Sequence, residues 1–161
     1  MIRYHINLNR DDLAGYGIPE PWAFGIGNRT TFGELDALNH VNNTVYLRWM
    51  ETLRIAHLGA RKVTDFGADG PRLVLRQVGQ DYLAEMGMGQ DYIVTGRTAR
   101  FRKTSFTQEY AVWAMNDGQP PLLTSTGHAV IVLLEPDGSG GFPIPDAARQ
   151  AFIDLDGAVQ E

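Results

Sequence analysis

The chain contains no cysteine. That excludes disulfide bridges, thiolate metal sites and a cysteine nucleophile together, and a reducing cytoplasm is the expected compartment. Long apolar runs are missing as well. The longest, residues 129–134, falls far short of the roughly 20 residues a membrane-spanning helix needs. Residues 1–9 alternate polar and apolar side chains, without the charged start and apolar run of a signal peptide, so no membrane partner is expected. Positive charge is scarce: 14 Lys and Arg stand against 19 Asp and Glu, for a net charge of −5. A nucleic-acid surface needs clustered cations to neutralise phosphates and is disfavoured. The four histidines, His5, His40, His57 and His128, are scattered singly. No His-Glu-x-x-His or other ligand spacing occurs, so neither a metal nor a separate cofactor is expected. Ser105, Ser125 and Ser139 lack the Gly-x-Ser-x-Gly setting of an α/β-hydrolase elbow. Gly25-Ile26-Gly27 lacks the third glycine and the following helix of a dinucleotide site.

What is present suits one globular domain. At 161 residues, 43 % of them apolar and 20 % charged, the chain is long enough for one real core. Residues 1–21 read as an extended arm followed by a loop rich in Gly and Pro. Residues 22–35 read as a strand with glycines at its bends. Residues 44–60 read as a long helix: no Pro or Gly occurs from Thr44 to Leu58, and Gly59 is placed as a C-terminal cap. Val45, Tyr46, Trp49, Met50, Leu53, Ala56 and His57 form one broad face, while Leu47, Ile55 and Leu58 make the other face apolar too. A helix of that kind is expected to be buried. Four strand-like segments follow, residues 72–82, 92–103, 106–115 and 122–134, with Asp117-Gly118 marking a hairpin. A short helix over residues 146–155, with Asp146 as its N-cap, closes the chain. One buried helix and one sheet to bury it predict an α+β fold with an antiparallel sheet of five or six strands wrapped around the helix.

The stretch that joins the first strand to the long helix carries the chemistry. It packs Glu34, Asp36, Asn39, His40, Asn42 and Asn43 into ten residues. Helix capping requires one or two such groups, not six. A carboxylate there can activate water or attack a carbonyl, free N–H groups at the helix start can hold an oxyanion, and a neighbouring His can orient water or move a proton. Asp36, His40 and Asn43 are the candidate catalytic residues. Arg97, Arg100, Arg102 and Lys103 form a local basic patch suited to a small anionic ligand.

The run Glu34-Leu35-Asp36, then Asn39-His40-Val41-Asn42-Asn43, then Tyr46, resembles the signature of the 4-hydroxybenzoyl-CoA thioesterase-like branch of the hotdog superfamily. Trp49, Glu51, the Arg-rich strand into Thr104-Ser105 and the closing Pro143-Ile144-Pro145 extend the likeness over roughly residues 24–152. The resemblance implies a hotdog fold, hydrolysis of an acyl-CoA thioester (or an acyl carrier protein thioester), and Asp36 as base or nucleophile. It also implies a homodimer or dimer of dimers with active sites between subunits. Coenzyme A enters only as part of the substrate, its phosphates met by one or more of Arg97, Arg100, Arg102 and Lys103, with Asn39, Tyr46 and Ser105 as further substrate-binding candidates. Two positions depart from the pattern. Asn39 stands where the family usually has Gly, and Glu34 where it has Asp. Leu38 replaces an Asn of the related plant acyl carrier protein thioesterases, and the Asp-to-His spacing of four differs from the five of hotdog hydratases. Hydratase or dehydratase chemistry and a non-catalytic acyl-CoA-binding module are the rival readings.

Overall fold

The computed structural model describes residues 1–161. Its sheet runs β1 (Asn7–Asn9), β2 (Phe24–Arg29), β3 (Arg72–Tyr82), β4 (Asp91–Phe101), β5 (Ser105–Met115) and β6 (Leu122–Leu134). The spatial order is β1-β2-β4-β5-β6-β3, antiparallel throughout. A two-residue strand, β7 (Val159–Gln160), adds a parallel pairing with β4 and brings the count to seven, against the five or six expected. Three helices complete the chain: α1 (Arg10–Gly15), α2 (Asn43–Ala60) and α3 (Asp146–Asp156). The sheet curls around α2, as the α+β reading expects. No helix is long and apolar enough to cross a membrane.

Helix spacing decides what α2 buries. Val45, Tyr46, Trp49, Met50, Leu53 and His57 fall on one side, and Leu58 of the opposite face is also buried in the last turn. They meet Val94, Tyr110, Val112, Ala129 and Ile131 on the concave face of the sheet. The approach is close because two strands carry glycine beneath the helix. A Cβ at Gly96 would fall 2.5 Å from Leu53 Cδ2, and one at Gly127 would fall 2.7 Å from Met50 Cε. On the convex face Leu8, Leu13 and Ile18 from the N-terminal arm pack on Ile93, Ala111 and Trp113. With both faces covered, Tyr92, Ile93, Val94, Thr95 and Gly96 of β4 are consecutively buried, the pattern of a strand covered on both sides.

Several expectations change in detail. The segment read as a loop after the extended arm begins with a helix, because Asn9 and Asp12 form a reciprocal capping box that starts α1. The first long strand stops at Arg29: a second capping box between Thr31 and Glu34 folds residues 32–34 into a 3₁₀ turn. Gly59 lies inside α2 and does not cap it; the left-handed residue beyond the helix is Lys62, with φ 60°. Asp146 is the first residue of α3, and Pro145 takes the cap position. Helix α2 is covered on one side only in the single chain, with Leu47 38 % and Ile55 51 % exposed, because one curved sheet cannot enclose the whole circumference.

The far end of α2 is fixed by a buried ionic cluster. Asp156, at the end of α3, accepts hydrogen bonds from Arg61 Nε (2.8 Å) and the Thr98 backbone N–H (2.9 Å), and its Oδ2 lies 2.7 Å from His57 Nε2. His57 Nδ1 meets the Gln108 amide at 2.8 Å on its other side. Burial alone opposes ionisation of Asp156, but the hydrogen bonds and charges of His57 and Arg61 outweigh it and hold the carboxyl below its usual range. Asp156→Ala therefore leaves the buried Arg61 guanidinium without its carboxylate and the His57 ring and Thr98 N–H without their acceptor. It is expected to cost about 3–5 kcal/mol, read as a lowered urea midpoint. Because the folded-state pKa is depressed, the contribution is complete above the unfolded carboxyl value of about 3.9 and is lost as pH falls through the folded value. Urea titrations from about pH 6 downward should show wild type losing stability more steeply in acid than Asp156→Ala.

Candidate active site

Residues 34–43 form a tight loop that delivers its polar groups to the N-terminus of α2. Leu35 and Val41 bridge in antiparallel fashion. Inside that bridge the Asp36 N–H donates to His40 O (2.8 Å) and the Asn39 N–H donates to Asp36 O (3.0 Å). The turn needs a left-handed residue, and Asn39 supplies it with φ 67°. Asn tolerates that region far better than most residues with a Cβ, and Gly tolerates it at no steric cost. The Asn at the family's glycine position thus preserves the backbone. Asn39 itself is exposed and does not line the cavity described below.

The loop also orients the carboxylate. Asp36 Oδ1 accepts the Leu38 N–H at 2.9 Å, with the His40 N–H a longer 3.4 Å away. Oδ2 has no protein donor. Asn42 is the helix cap, its side chain accepting from the Thr44 N–H (2.9 Å). The Asn42 N–H is taken by Glu34 O (2.8 Å) and the Val41 N–H by Met86 O (2.9 Å), whereas the Asn43 N–H has no acceptor. An unpaired N–H at the positive end of an 18-residue helix is a ready donor to developing negative charge.

Asp36, His40, Asn43 and Tyr46 line one open cavity of about 350 Å³ with Val41, Tyr82, Leu83, Ala84 and Glu85. The last strand residue and the loop after β3 thus contribute groups that no local motif marks. Tyr82 donates through its hydroxyl to Asn43 O (2.9 Å) and packs edge-on against Tyr46. Glu85 pairs with His40 Nε2. Burial, followed by the proximity of Tyr82, pushes the Tyr46 phenol up to about 12, so it stays neutral near pH 7. Glu34 points away from this cavity, with both carboxylate oxygens engaged. Its Oε1 accepts the Trp49 indole N–H (2.9 Å) and its Oε2 the Thr31 N–H (2.7 Å). No three His, Asp or Glu side chains converge to hold a metal.

The basic candidates lie elsewhere. Arg100, Arg102 and Ser105 line a separate cavity of about 200 Å³ with Arg76 and Thr107. There Arg102 is ion-paired with Glu161 at 3.0 Å, and Arg100 at 3.7 Å. Lys103 is exposed and outside that cavity. Arg97 is committed to Glu109 at 2.8 Å. Within one chain the two cavities stand at opposite ends of the sheet. Tyr82 pairs with Ser125 at one end, and Val74, which pairs with Val132 beside Ser105, lies at the other. Eight residues of strand separate them, about 26 Å.

The sequence model of the thioesterase-like superfamily matches residues 30–152, a span that contains the loop, α2 and all four long strands. The chain belongs to the thioesterase-like superfamily. The class of chemistry that accompanies this membership is thioester hydrolysis. Among solved structures, a thioesterase superfamily protein from Jannaschia sp. CCS1 is 52 % identical over the full length of both chains, with a TM-score of 0.96. A Thermus thermophilus thioesterase, complexed with coenzyme A and zinc, is 27 % identical; the match covers 86 % of this chain and 98 % of that one, with a TM-score of 0.71. A 1,4-dihydroxy-2-naphthoyl-CoA thioesterase from Synechocystis, 16 % identical over 82 % and 96 % of the two chains with a TM-score of 0.69, shares the fold. No curated protein matches the sequence. Together these matches make the fold a hotdog fold.

The left-handed turn gives a direct test within this superfamily member. Asn39→Gly should leave stability within about 0.5 kcal/mol of wild type, while Asn39→Ala should cost about 1 kcal/mol, both read by thermal unfolding.

Proposed function

We propose that this protein hydrolyses an acyl-CoA thioester in the cavity at the N-terminus of α2, with Asp36 as general base or nucleophile. One observation carries the reading: a carboxylate with one oxygen held by its own turn and the other free lines the same cavity as the unpaired Asn43 N–H. With Asp36 as base, its free oxygen takes a proton from water as the water oxygen bonds to the thioester carbonyl carbon. The Asn43 N–H donates to the resulting oxyanion. Collapse of that intermediate breaks the C–S bond and releases a carboxylic acid and the thiol of coenzyme A, the proton passing to sulfur. His40, paired with Glu85, stands at the same wall to orient water.

The coenzyme A half of the substrate is best accommodated by a second copy of the chain. The outer edge of β3 pairs with nothing, although the strand runs for 11 residues and exposes Val74, Leu75, Val78 and Tyr82. An open edge of that length with apolar side chains favours pairing with another strand. Antiparallel pairing of two β3 strands sets the Arg72 end of one beside the Tyr82 end of the other. It thereby carries the partner's cluster of Arg76, Arg100, Arg102 and Ser105 toward Asp36, closing the gap that a single chain leaves open. Guanidinium groups suit phosphate geometry, and the coenzyme A complex of the Thermus thermophilus relative supports that choice of thiol.

Thiol trapping with short, long and aromatic acyl-CoAs tests the chemistry. Asp36→Asn is expected to lower kcat by about 10²–10⁴, and release that survives this substitution would overturn the assignment. Val78→Lys places like charges across the paired edges. It is expected to shift the protein to monomer in sedimentation and to remove most activity; a fully active monomer would sink the shared site.

A further inference from the structure

Resting on the hydrolase reading above, we infer that a second cavity, behind Trp49, takes the far end of an aliphatic acyl chain, and that Trp49 sets how long a chain is accepted. This cavity measures about 230 Å³ and lies between α2, β2 and β4. Its buried surfaces are Trp49, Leu53, Tyr92 and Val94, with half-buried Ile26 beside them. His5, Arg48 and Thr52 are exposed and form its solvent-side rim. The floor offers the apolar surfaces of Trp49, Leu53, Val94 and Ile26, and its polar groups are already engaged: the Tyr92 hydroxyl pairs with half-buried Asn28, and both Glu34 oxygens accept hydrogen bonds.

An aromatic row connects this cavity to the one that holds Asp36. Tyr82 and Tyr46 lie 5.4 Å apart between ring centres, Tyr46 and Trp49 lie 5.0 Å apart, and Trp49 stacks on Tyr92 at 4.0 Å. Tyr46 lines the first cavity and Trp49 the second. The contact between the Tyr46 and Trp49 rings therefore lies between the two spaces. Tyr46, Trp49 and Leu53 recur at helical spacing on the buried side of α2, so a chain lying along that side from Tyr46 to Leu53 advances about 10 Å and meets the indole midway.

Glu34 latches the indole. Its carboxylate accepts the Trp49 N–H, while the Thr31 backbone and the Asn42 N–H bound to Glu34 O tie it to the Asp36 loop. The acid two residues before Asp36 thus acts on chain length and not on the reacting bond. Trp49 is a specificity-determining residue, and Glu34 positions it.

The test compares kcat/KM for saturated acyl-CoAs from two to sixteen carbons in wild type, Trp49→Phe and Trp49→Leu. Thermal unfolding of each variant confirms that it folds, and Trp49→Phe, the milder change, keeps the comparison available if Trp49→Leu does not. Opening the passage should raise the long-to-short ratio of kcat/KM by about fourfold for each methylene that newly enters the distal cavity. Ile26→Phe added to either Trp49 variant narrows that cavity from the far side and should return the ratio toward wild type. A ratio unchanged in both Trp49 variants, or a gain that Ile26→Phe does not reverse, overturns the distal site. Absence of thiol release by wild type at every chain length overturns instead the hydrolase reading beneath it.

Discussion

Helix α2 lies against β4 and β6 at a separation that Gly96 and Gly127 permit, since a Cβ at either would collide with Leu53 or Met50. That contact sets the depth at which the helix that carries the candidate site is seated. With the helix seated this deeply, Tyr46 and Trp49 are buried between helix and sheet, and the N-terminus of the helix opens at the sheet margin beside Tyr82 and Glu85. The Asn43 N–H at that margin stands at the positive end of the helix, without a protein acceptor.

The two ends of the helix are secured by different physics. At the C-terminal end the buried Asp156 carboxylate gathers His57, Arg61 and the Thr98 backbone, binding α3 and β4 to α2. Such a cluster is costly to desolvate and costly to break, so it defines one arrangement more than it adds net stability. At the N-terminal end the restraint comes from short, local hydrogen bonds. Asn42 caps the helix, Glu34 O takes the Asn42 N–H, and the Glu34 carboxylate reaches the Trp49 indole. The rigid end is remote from the cavity, and the lightly tied end borders it. That division suits the substrate-admitting role proposed for the cavity.

Much of the fold was legible from local pattern. The bounds of α2 differ from the sequence reading by one residue, and residues 72–82 and 122–134 are strands as expected. These segments are long and strongly periodic, and their preferences agree with their burial. The misses are capping effects. Asn9 with Asp12 folds a few residues into helix where the sequence suggested loop, and Thr31 with Glu34 does so where it suggested strand, because one reciprocal pair of hydrogen bonds outweighs a weak pattern over so short a span.

By itself the sequence determined the loop from Glu34 to Asn43 and its superfamily likeness, because capping, turn formation and helix initiation are interactions between near neighbours. It also determined that Asp36, His40, Asn43 and Tyr46 are close, for the same reason. Only the tertiary structure decided that Tyr82 and Glu85 complete their cavity, that Arg100 and Arg102 lie a full strand length away, and that Glu34 engages Trp49 rather than the cavity of Asp36. Those relations follow from strand order and register, with β3 placed at the sheet edge beside β6. Register is set by the summed packing of both sheet faces, and no short stretch of residues contains it.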